Sequence, residues 1–211
     1  MIRIVICDDH AIVRRGLKEL FEAEPDMQVV AEAGDSRELL DRLAQQPCDV
    51  LVLDITMPGR AGLDVLPQLR ARHEGLRVLM VTMHPEEQFA LRALRSGASG
   101  YLTKDSAPED LLRAVRRIAQ GGRYISETLA DRLADEVQGG GPAQPAHERL
   151  SEREFEVLRG IASGRTVGEI ASALFLSSNT VSSYRARLLQ KLGLRSNAEL
   201  MHYAITNRLV D

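Results

Sequence analysis

Residues 1–10 read MIRIVICDDH, and residues 49–59 read DVLVLDITMPG. In both stretches a short run of Ile, Val and Leu leads directly into acidic side chains, Asp8 and Asp9 in the first and Asp54 in the second. An apolar run of this length predicts a buried β-strand. Adjacent carboxylates repel each other and are unfavourable to bury without partners. Their position at the ends of strands therefore predicts a site where other groups converge.

Apolar runs and amphipathic stretches alternate along the first part of the chain. Stretches with apolar spacings of three and four separate five runs, at residues 2–7, 27–33, 49–55, 77–83 and 100–104. This alternation predicts an α/β fold, a five-stranded doubly wound parallel sheet with helices on both faces. In such sheets the functional groups lie at the carboxyl ends of the strands.

A second domain is predicted after a flexible linker at residues 138–148, QGGGPAQPAHE, which is rich in Gly and Pro. All later segments have helical spacing, and Ser151 with Glu154 forms a capping-box pattern. We therefore divide the chain into a first domain, a short helix with the linker, and an all-α domain of four helices. The predicted bounds are 1–122, 123–149 and 150–211.

The composition excludes several classes of protein. With 44% hydrophobic and 27% charged residues, the chain is typical of a globular protein. No apolar run approaches the roughly 20 residues that cross a bilayer, so we expect a cytoplasmic protein without a membrane partner. Cys7 and Cys48 lie in apolar runs, which favours buried thiols over a disulfide or a metal site.

The predicted strand ends bring five polar side chains together. Thr82 ends the fourth strand and Lys104 the fifth, on the rim where Asp8, Asp9 and Asp54 are expected. Three carboxylates favour a hard divalent cation, most plausibly Mg²⁺. Asp54 could then attack a phosphoryl donor while Mg²⁺ and Lys104 neutralise the phosphoryl oxygens.

About the first 120 residues of the chain resemble the receiver domain of response regulators. Four motifs carry the resemblance: VICDDH, LVLDITMPG, VTMH and GYLTKD. The resemblance implies a flavodoxin-like receiver in which Asp54 is the phosphoacceptor. It implies that Asp8, Asp9 and the backbone carbonyl of Thr56 help to hold Mg²⁺. It also implies that Thr82 and Lys104 bind the phosphoryl group. We interpret His10 and His84 as loop residues that shape access and not as ligands.

The same resemblance assigns Tyr101 to the aromatic switch position of the family. A phosphoryl group adds about 1.5 to 2 negative charges. Movement of the Thr82 hydroxyl toward the phosphate, and of the Tyr101 ring inward, would give the surrounding face two states. Taken singly, Asp54 could cap a helix, Thr82 could be an ordinary strand residue, and Tyr101 could belong to the core.

The C-terminal segment predicts a helix-turn-helix. Residues 150–211 carry eight Lys and Arg against six Asp and Glu, whereas the chain as a whole has a net charge of −3. In NTVSSYRARLLQKL, at residues 179–192, Val181, Tyr184, Leu188 and Leu192 share one face, which we expect to pack inward. The candidate DNA-contacting residues are Asn179, Thr180, Ser182, Ser183, Arg185, Arg187 and Lys191.

The stretch from Leu150 to Ala204 resembles the LuxR-type helix-turn-helix domain, and its pairing with a receiver resembles the NarL/FixJ class of response regulators. Gly168 and Ser182 stand where that family commonly carries lysine. Fewer positive charges predict weaker nonspecific binding and a flatter salt dependence. An amphipathic helix in a small bundle is the simpler alternative for residues 180–192.

The last predicted helix, residues 196–206, presents Ala198, Met201 and Ile205 at helical spacing. These side chains could form domain core or a dimer seam, and the resemblance favours the seam. It implies a sensor histidine kinase, double-stranded promoter DNA, a second copy of the chain and RNA polymerase as partners. The resulting hypothesis is a phosphorylation-controlled transcription regulator that is not an enzyme. The alternatives are a metal-dependent phosphatase or haloacid-type hydrolase with an aspartyl nucleophile, and a constitutive DNA-binding protein whose receiver has lost signalling.

Overall fold

The computed structural model describes residues 1–57, 62–137, 146–207 and 209–210. The chain forms two compact units, residues 1–140 and 141–211. In the described part of the first unit, five strands alternate with five helices, and one more helix follows. They are β1 (Ile2–Cys7), α1 (Ala11–Glu22), β2 (Met27–Ala33), α2 (Ser36–Gln45), β3 (Val50–Leu53), α3 (Gly62–Arg72), β4 (Arg77–Thr82), α4 (Glu86–Ser96), β5 (Gly100–Thr103), α5 (Pro108–Ala119) and α6 (Glu127–Val137).

The predicted α/β fold is confirmed. All five strands are parallel, in the order β2-β1-β3-β4-β5. The order reverses at β1, which pairs with β2 on one side and β3 on the other, and ligand sites of doubly wound sheets lie at such a point. β3 is shorter than the predicted strand at 49–55, because the chain leaves the sheet after Leu53.

Buried strands hold the sheet between its helices. All four side chains of β3 are buried, as expected for a central parallel strand covered on both faces. On one face, Ile4 and Ile6 of β1 and Val52 of β3 pack in a cluster with Val115 and Ile118 of α5. Burying each such side chain stabilises the fold by about 1.5–3 kcal/mol. This packing holds the strands in fixed register, and with them the carboxyl ends that form one rim of the sheet.

Helix α6 belongs to the first compact unit, whereas the sequence pattern groups residues 123–137 with the linker. The Tyr124 carbonyl accepts a hydrogen bond from the Tyr101 N–H, at 3.2 Å, which places the chain after α5 beside β5. Leu129 of α6 is buried at 1% exposure, and the helix contacts α4. Residues 138–145 of the predicted linker lie outside the described residues.

The second unit contains a short 3₁₀ helix (Ala146–Arg149) followed by α7 (Glu152–Ala162), α8 (Val167–Ala173), α9 (Ser178–Leu192) and α10 (Asn197–Thr206). Ser151 and Thr166 cap α7 and α8 with capping boxes, as the sequence pattern predicts for α7. Four residues join α8 to α9, a length typical of a helix-turn-helix. Among the described residues, no helix combines the length and the apolar character that a membrane span requires.

Candidate functional site

A cluster of acidic side chains around one lysine lies at the carboxyl ends of β1 and β3. Lys104 Nζ is 2.6 Å from Asp8 Oδ2 and 2.7 Å from Asp54 Oδ2. Both carboxylates are almost fully buried, at 2% and 3% exposure. The Asp54 N–H donates to the Cys7 carbonyl at 2.9 Å, and the Lys104 N–H donates to the Thr82 carbonyl at 2.8 Å. These bonds extend the parallel pairing past the strands and bring the side chains to one rim.

Burial, hydrogen bonds and neighbouring charges together shift the pKa values of Asp54 and Lys104. Burial raises the pKa of the Asp54 carboxyl, and the charge of Asp8 also raises it, although the hydrogen bonds from Lys104 and Thr82 oppose the rise. Burial acts to lower the pKa of Lys104, but hydrogen bonds to Asp54 and Asp8 outweigh it, so that the pKa is raised. Lys104 therefore remains charged at neutral pH and balances one of the two buried carboxylates.

The acidic cluster offers a set of ligand atoms for a divalent cation. Asp8, Asp9, His10 and Asp54 each provide one donor atom, and all four atoms lie within 4.8 Å of one another. Asp9 Oδ1 is buried and accepts no hydrogen bond from the described residues. His10 Nδ1 is 2.7 Å from this oxygen, but the pair lacks hydrogen-bond geometry. A buried oxygen without a donor, beside two further carboxylates, fits a hard cation such as Mg²⁺.

The two predicted switch residues are buried, and hydrogen bonds of His84 connect them. Thr82 and Tyr101 are both 1% exposed. The Tyr101 hydroxyl donates to the main-chain carbonyl of His84 at 3.0 Å, and the His84 N–H lies 3.4 Å from Thr82 Oγ1. The ring of Tyr101 is thus inside the receiver, linked to the segment that follows Thr82.

His84 makes more contacts at the site than its sequence context indicates. Its Nε2 lies 2.8 Å from Thr56 Oγ1, two residues after the phosphoacceptor candidate. Its ring also packs against the ring of Phe89 in α4, with centroids 4.4 Å apart and the two planes tilted by 36°. The residue therefore joins the loop after β3 to α4. In the sequence, the position of His84 directly after the fourth predicted strand is the signal that it lies at the site. Its contacts are not predictable, because they depend on how the turn after that strand folds.

The exposed face of α9 carries most of the candidate DNA-contacting side chains. Val181 and Leu188 are buried, and Tyr184 and Leu192 are half-buried, so the face predicted to pack inward does so. Thr180 and Arg185 are half-buried. The exposed candidates are Asn179, Ser182, Ser183, Arg187 and Lys191.

Two cations of α9 also make contacts within the domain. Arg185 Nε donates to the side-chain oxygen of Asn197 at the start of α10. Lys191 Nζ lies 2.6 Å from Glu154 Oε2, whose carboxylate is only 3% exposed. Among the candidate cations of α9, Arg187 has its guanidinium 5.9 Å from the ring of Tyr184 and no ion pair within the described residues. Arg187 is therefore the cation most available to an external phosphate.

The candidate seam on α10 is an open, apolar surface. Ala198 is exposed, Met201 is half-buried and Ile205 is 61% exposed. Leu200 and Ala204 of the same helix are fully buried in the core of the unit. Ala198 and Ile205 are therefore not part of the domain core, whereas Met201 is partly covered.

Two separate parts of the chain match known protein families. Residues 4–116 match the family described as the response regulator receiver domain. Residues 148–204 match the family of bacterial regulatory proteins of the LuxR type. The chain is a response regulator of the NarL/FixJ class.

Relatives of this response regulator align over nearly its whole length. The oxygen regulatory protein NreC of Staphylococcus carnosus is 36% identical, over 99% of both chains. RcsB of Salmonella enterica serovar Typhimurium, in a structure bound to the promoter rprA in the presence of the phosphomimetic BeF₃⁻, is 30% identical with a TM-score of 0.63. That alignment covers 96% of this chain and 97% of RcsB. ChrA, the response regulator of a haem-sensing two-component system, is 33% identical with a TM-score of 0.52, over 99% and 98% of the two chains.

Proposed function

We propose that Asp54 is phosphorylated by a sensor histidine kinase, and that the phosphorylated protein dimerises and binds double-stranded promoter DNA through α9. The observation that supports this most directly is the contact of Lys104 with both Asp8 and Asp54 at the ends of β1 and β3. A buried carboxylate beside a fixed cation is arranged to receive a phosphoryl group.

Phosphoryl transfer uses Asp54 as the nucleophile. One carboxylate oxygen attacks phosphorus, the bond from phosphorus to the kinase histidine nitrogen breaks, and that nitrogen keeps the electron pair. Lys104 and the Thr82 hydroxyl are placed to donate to the phosphoryl oxygens. Asp8, Asp9, Asp54 and the Thr56 carbonyl would hold Mg²⁺, which supplies positive charge to the phosphoryl oxygens when bound. Self-phosphorylation from a small donor and self-dephosphorylation are the most catalysis we expect.

A hydrolase with an aspartyl nucleophile would need a second acidic group two residues after Asp54. That position is Thr56, and its hydroxyl lies against the ring of His84. The loop therefore lacks the carboxylic acid that such an enzyme uses as general acid and base. We expect phosphorylation at Asp54 to be stoichiometric.

Recognition of DNA is assigned to the exposed face of α9. The residues proposed to contact DNA are Asn179, Thr180, Ser182, Ser183, Arg185, Arg187 and Lys191. The N-terminal residues of such a helix reach base edges, while its cations contact phosphates. Two copies joined through Ala198, Met201 and Ile205 of α10 would read half-sites about one helical turn apart. Because promoter DNA is the target, we place the protein in the cytoplasm, where RNA polymerase is a further proposed partner.

Phosphorylation is tested by incubating the full chain with acetyl phosphate and Mg²⁺ and measuring the phosphorylated fraction. The expected result is one acid-stable, hydroxylamine-labile phosphoryl group in the parent protein and none in Asp54→Asn. Asp41→Asn makes the same chemical change at an exposed position of α2, away from the acidic cluster, and serves as the matched control. Equal labelling of Asp54→Asn would overturn the assignment of the phosphoacceptor.

DNA binding is tested by titrating promoter fragments at several salt concentrations. Arg187→Ala should weaken binding to all sequences and reduce the slope of log K against log salt by about 1 for each phosphate that the arginine neutralises. The matched control is Arg159→Ala, which removes an exposed arginine from α7. If both substitutions have the same effect, α9 is not the recognition helix.

A further inference from the structure

The turn between α8 and α9 contains a phenylalanine in an unusual position. Phe175 has a φ of 54° and is the one non-glycine residue with positive φ in the described part of the chain. Its side chain is 93% exposed, the most of any large apolar side chain among the described residues. The chain thus presents a large apolar ring to the outside from a left-handed backbone position.

The backbone conformation is set by the way α8 ends. The Leu176 N–H donates to the Ala171 carbonyl at 2.8 Å, and the Phe175 N–H lies 3.4 Å from the Ser172 carbonyl. This bonding pattern closes a helix with a left-handed residue, for which glycine is the usual choice. A bulky side chain at positive φ is a strained outlier. The exposed ring of Phe175 gains little burial within the domain to offset that strain.

The position of the ring relative to α9 indicates what could offset the strain. Phe175 precedes Ser177, the N-cap of α9, by two residues. If α9 enters the major groove as proposed above, its N-terminal residues lie nearest the bases and the turn lies at the edge of the groove. DNA offers apolar surface there, as thymine methyl groups and deoxyribose edges, and phenylalanine is among the residues that contact the thymine methyl.

We propose that Phe175 is a DNA-contacting residue, whose ring packs on apolar surface of the DNA at the edge of the groove read by α9. The inference rests on the proposed function of α9 as the recognition helix. It adds an uncharged contact to an interface otherwise built from cations and small polar side chains. Because an apolar contact releases no counterions, it contributes to affinity without changing the salt dependence.

The test compares Phe175→Asn with Phe175→Tyr in the full chain. Asparagine accepts positive φ more readily than phenylalanine but lacks the ring, whereas tyrosine keeps the ring and the strain. Phe175→Asn should lower DNA affinity about tenfold with an unchanged salt slope, and should raise the melting temperature of the C-terminal unit by about 4 °C. Phe175→Tyr should stay within about twofold of the parent affinity, a factor worth less than about 0.5 kcal/mol.

Fragments in which deoxyuridine replaces thymidine identify the surface that the ring contacts. If the ring lies on a thymine methyl, deoxyuridine should weaken DNA binding by the parent protein but not by Phe175→Asn. If the ring lies on deoxyribose, deoxyuridine should change the DNA affinity of both proteins equally, and Phe175→Asn should still bind more weakly than the parent protein. Either result supports a DNA contact.

Arg187→Ala in the same assay separates failure of this inference from failure of the proposed function. Normal DNA binding by Phe175→Asn alongside weakened binding by Arg187→Ala would overturn the contact and leave α9 as the recognition helix. Normal binding by both variants would overturn both assignments. Normal DNA binding by Phe175→Asn without transcription activation in vitro would instead assign the ring to a protein partner and overturn the contact with DNA.

Discussion

Gly62, the first residue of α3, approaches the backbone of Asp54, the proposed phosphoacceptor, so closely that a side chain cannot fit. A Cβ atom added there would lie 2.1 Å from the Asp54 carbonyl oxygen and 3.2 Å from Ile55 Cα. The Gly62 N–H also donates to the Ile55 carbonyl at 2.8 Å. Since Cβ atoms essentially never come within 3.0 Å of another heavy atom, backbone must move by about 0.9 Å. Gly62→Ala should therefore displace Asp54 from Lys104.

Overpacking of this kind costs about 1–3 kcal/mol, which lowers the melting temperature of the receiver by about 2–10 °C. The matched control is Gly16→Ala in α1, where a Cβ has no neighbour within 4 Å; removing a glycine from a helix interior stabilises it by about 0.5–1 kcal/mol. Thermal denaturation followed by circular dichroism, and the initial rate of phosphorylation by acetyl phosphate, measure both effects. If Gly62→Ala were as stable as Gly16→Ala and were phosphorylated at the parent rate, the close packing of α3 on Asp54 would be refuted.

Three further predictions concern stability. Hydrogen bonding to Arg3 lowers the pKa of Asp49 to about 2, so Arg3→Gln should lower the unfolding free energy at pH 7 by up to about 1 kcal/mol after solvent screening. A carboxylate whose pKa is lowered by folding stabilises the fold at pH values above its pKa in the unfolded chain, near 4. The difference in unfolding free energy between Arg3→Gln and the parent protein should therefore vanish as the pH falls from 4 to 2, as measured by urea titrations. Lys191→Gln should lower the free energy of unfolding by about 1 kcal/mol, because the buried carboxylate of Glu154 loses its cation. Thermal denaturation measures this loss. Gly160→Ala should cost about 1–3 kcal/mol in urea titrations, because its Cβ would lie 2.7 Å from a side chain of α8.

The sequence predicts the receiver fold well because its signals are local. Short apolar runs mark the strands, and the carboxyl-end rule brings Asp8, Asp54 and Lys104 to one rim before any distance is known. The rule does not reveal that Lys104 contacts both carboxylates at once. That detail depends on the side-chain conformation of a residue 50 positions from Asp54.

Contacts between distant elements are the part that the sequence does not predict. The amphipathic pattern of α6 marks an apolar face but not the helix it packs against, which is α4. Lys191 has the spacing of a DNA contact, yet it pairs with Glu154, 37 residues earlier. The left-handed conformation of Phe175 has no local signal, because glycine and asparagine are the residues that mark such turns.

A phosphorylation switch is tested by measuring the DNA affinity and the molecular mass of the full chain, with and without acetyl phosphate and Mg²⁺. We expect the phosphodonor to raise both the dimer fraction and the affinity for promoter fragments in the parent protein, and Asp54→Asn to show neither change. A parent protein whose mass and affinity stay constant while Asp54 is phosphorylated would contradict a phosphorylation switch that controls DNA binding.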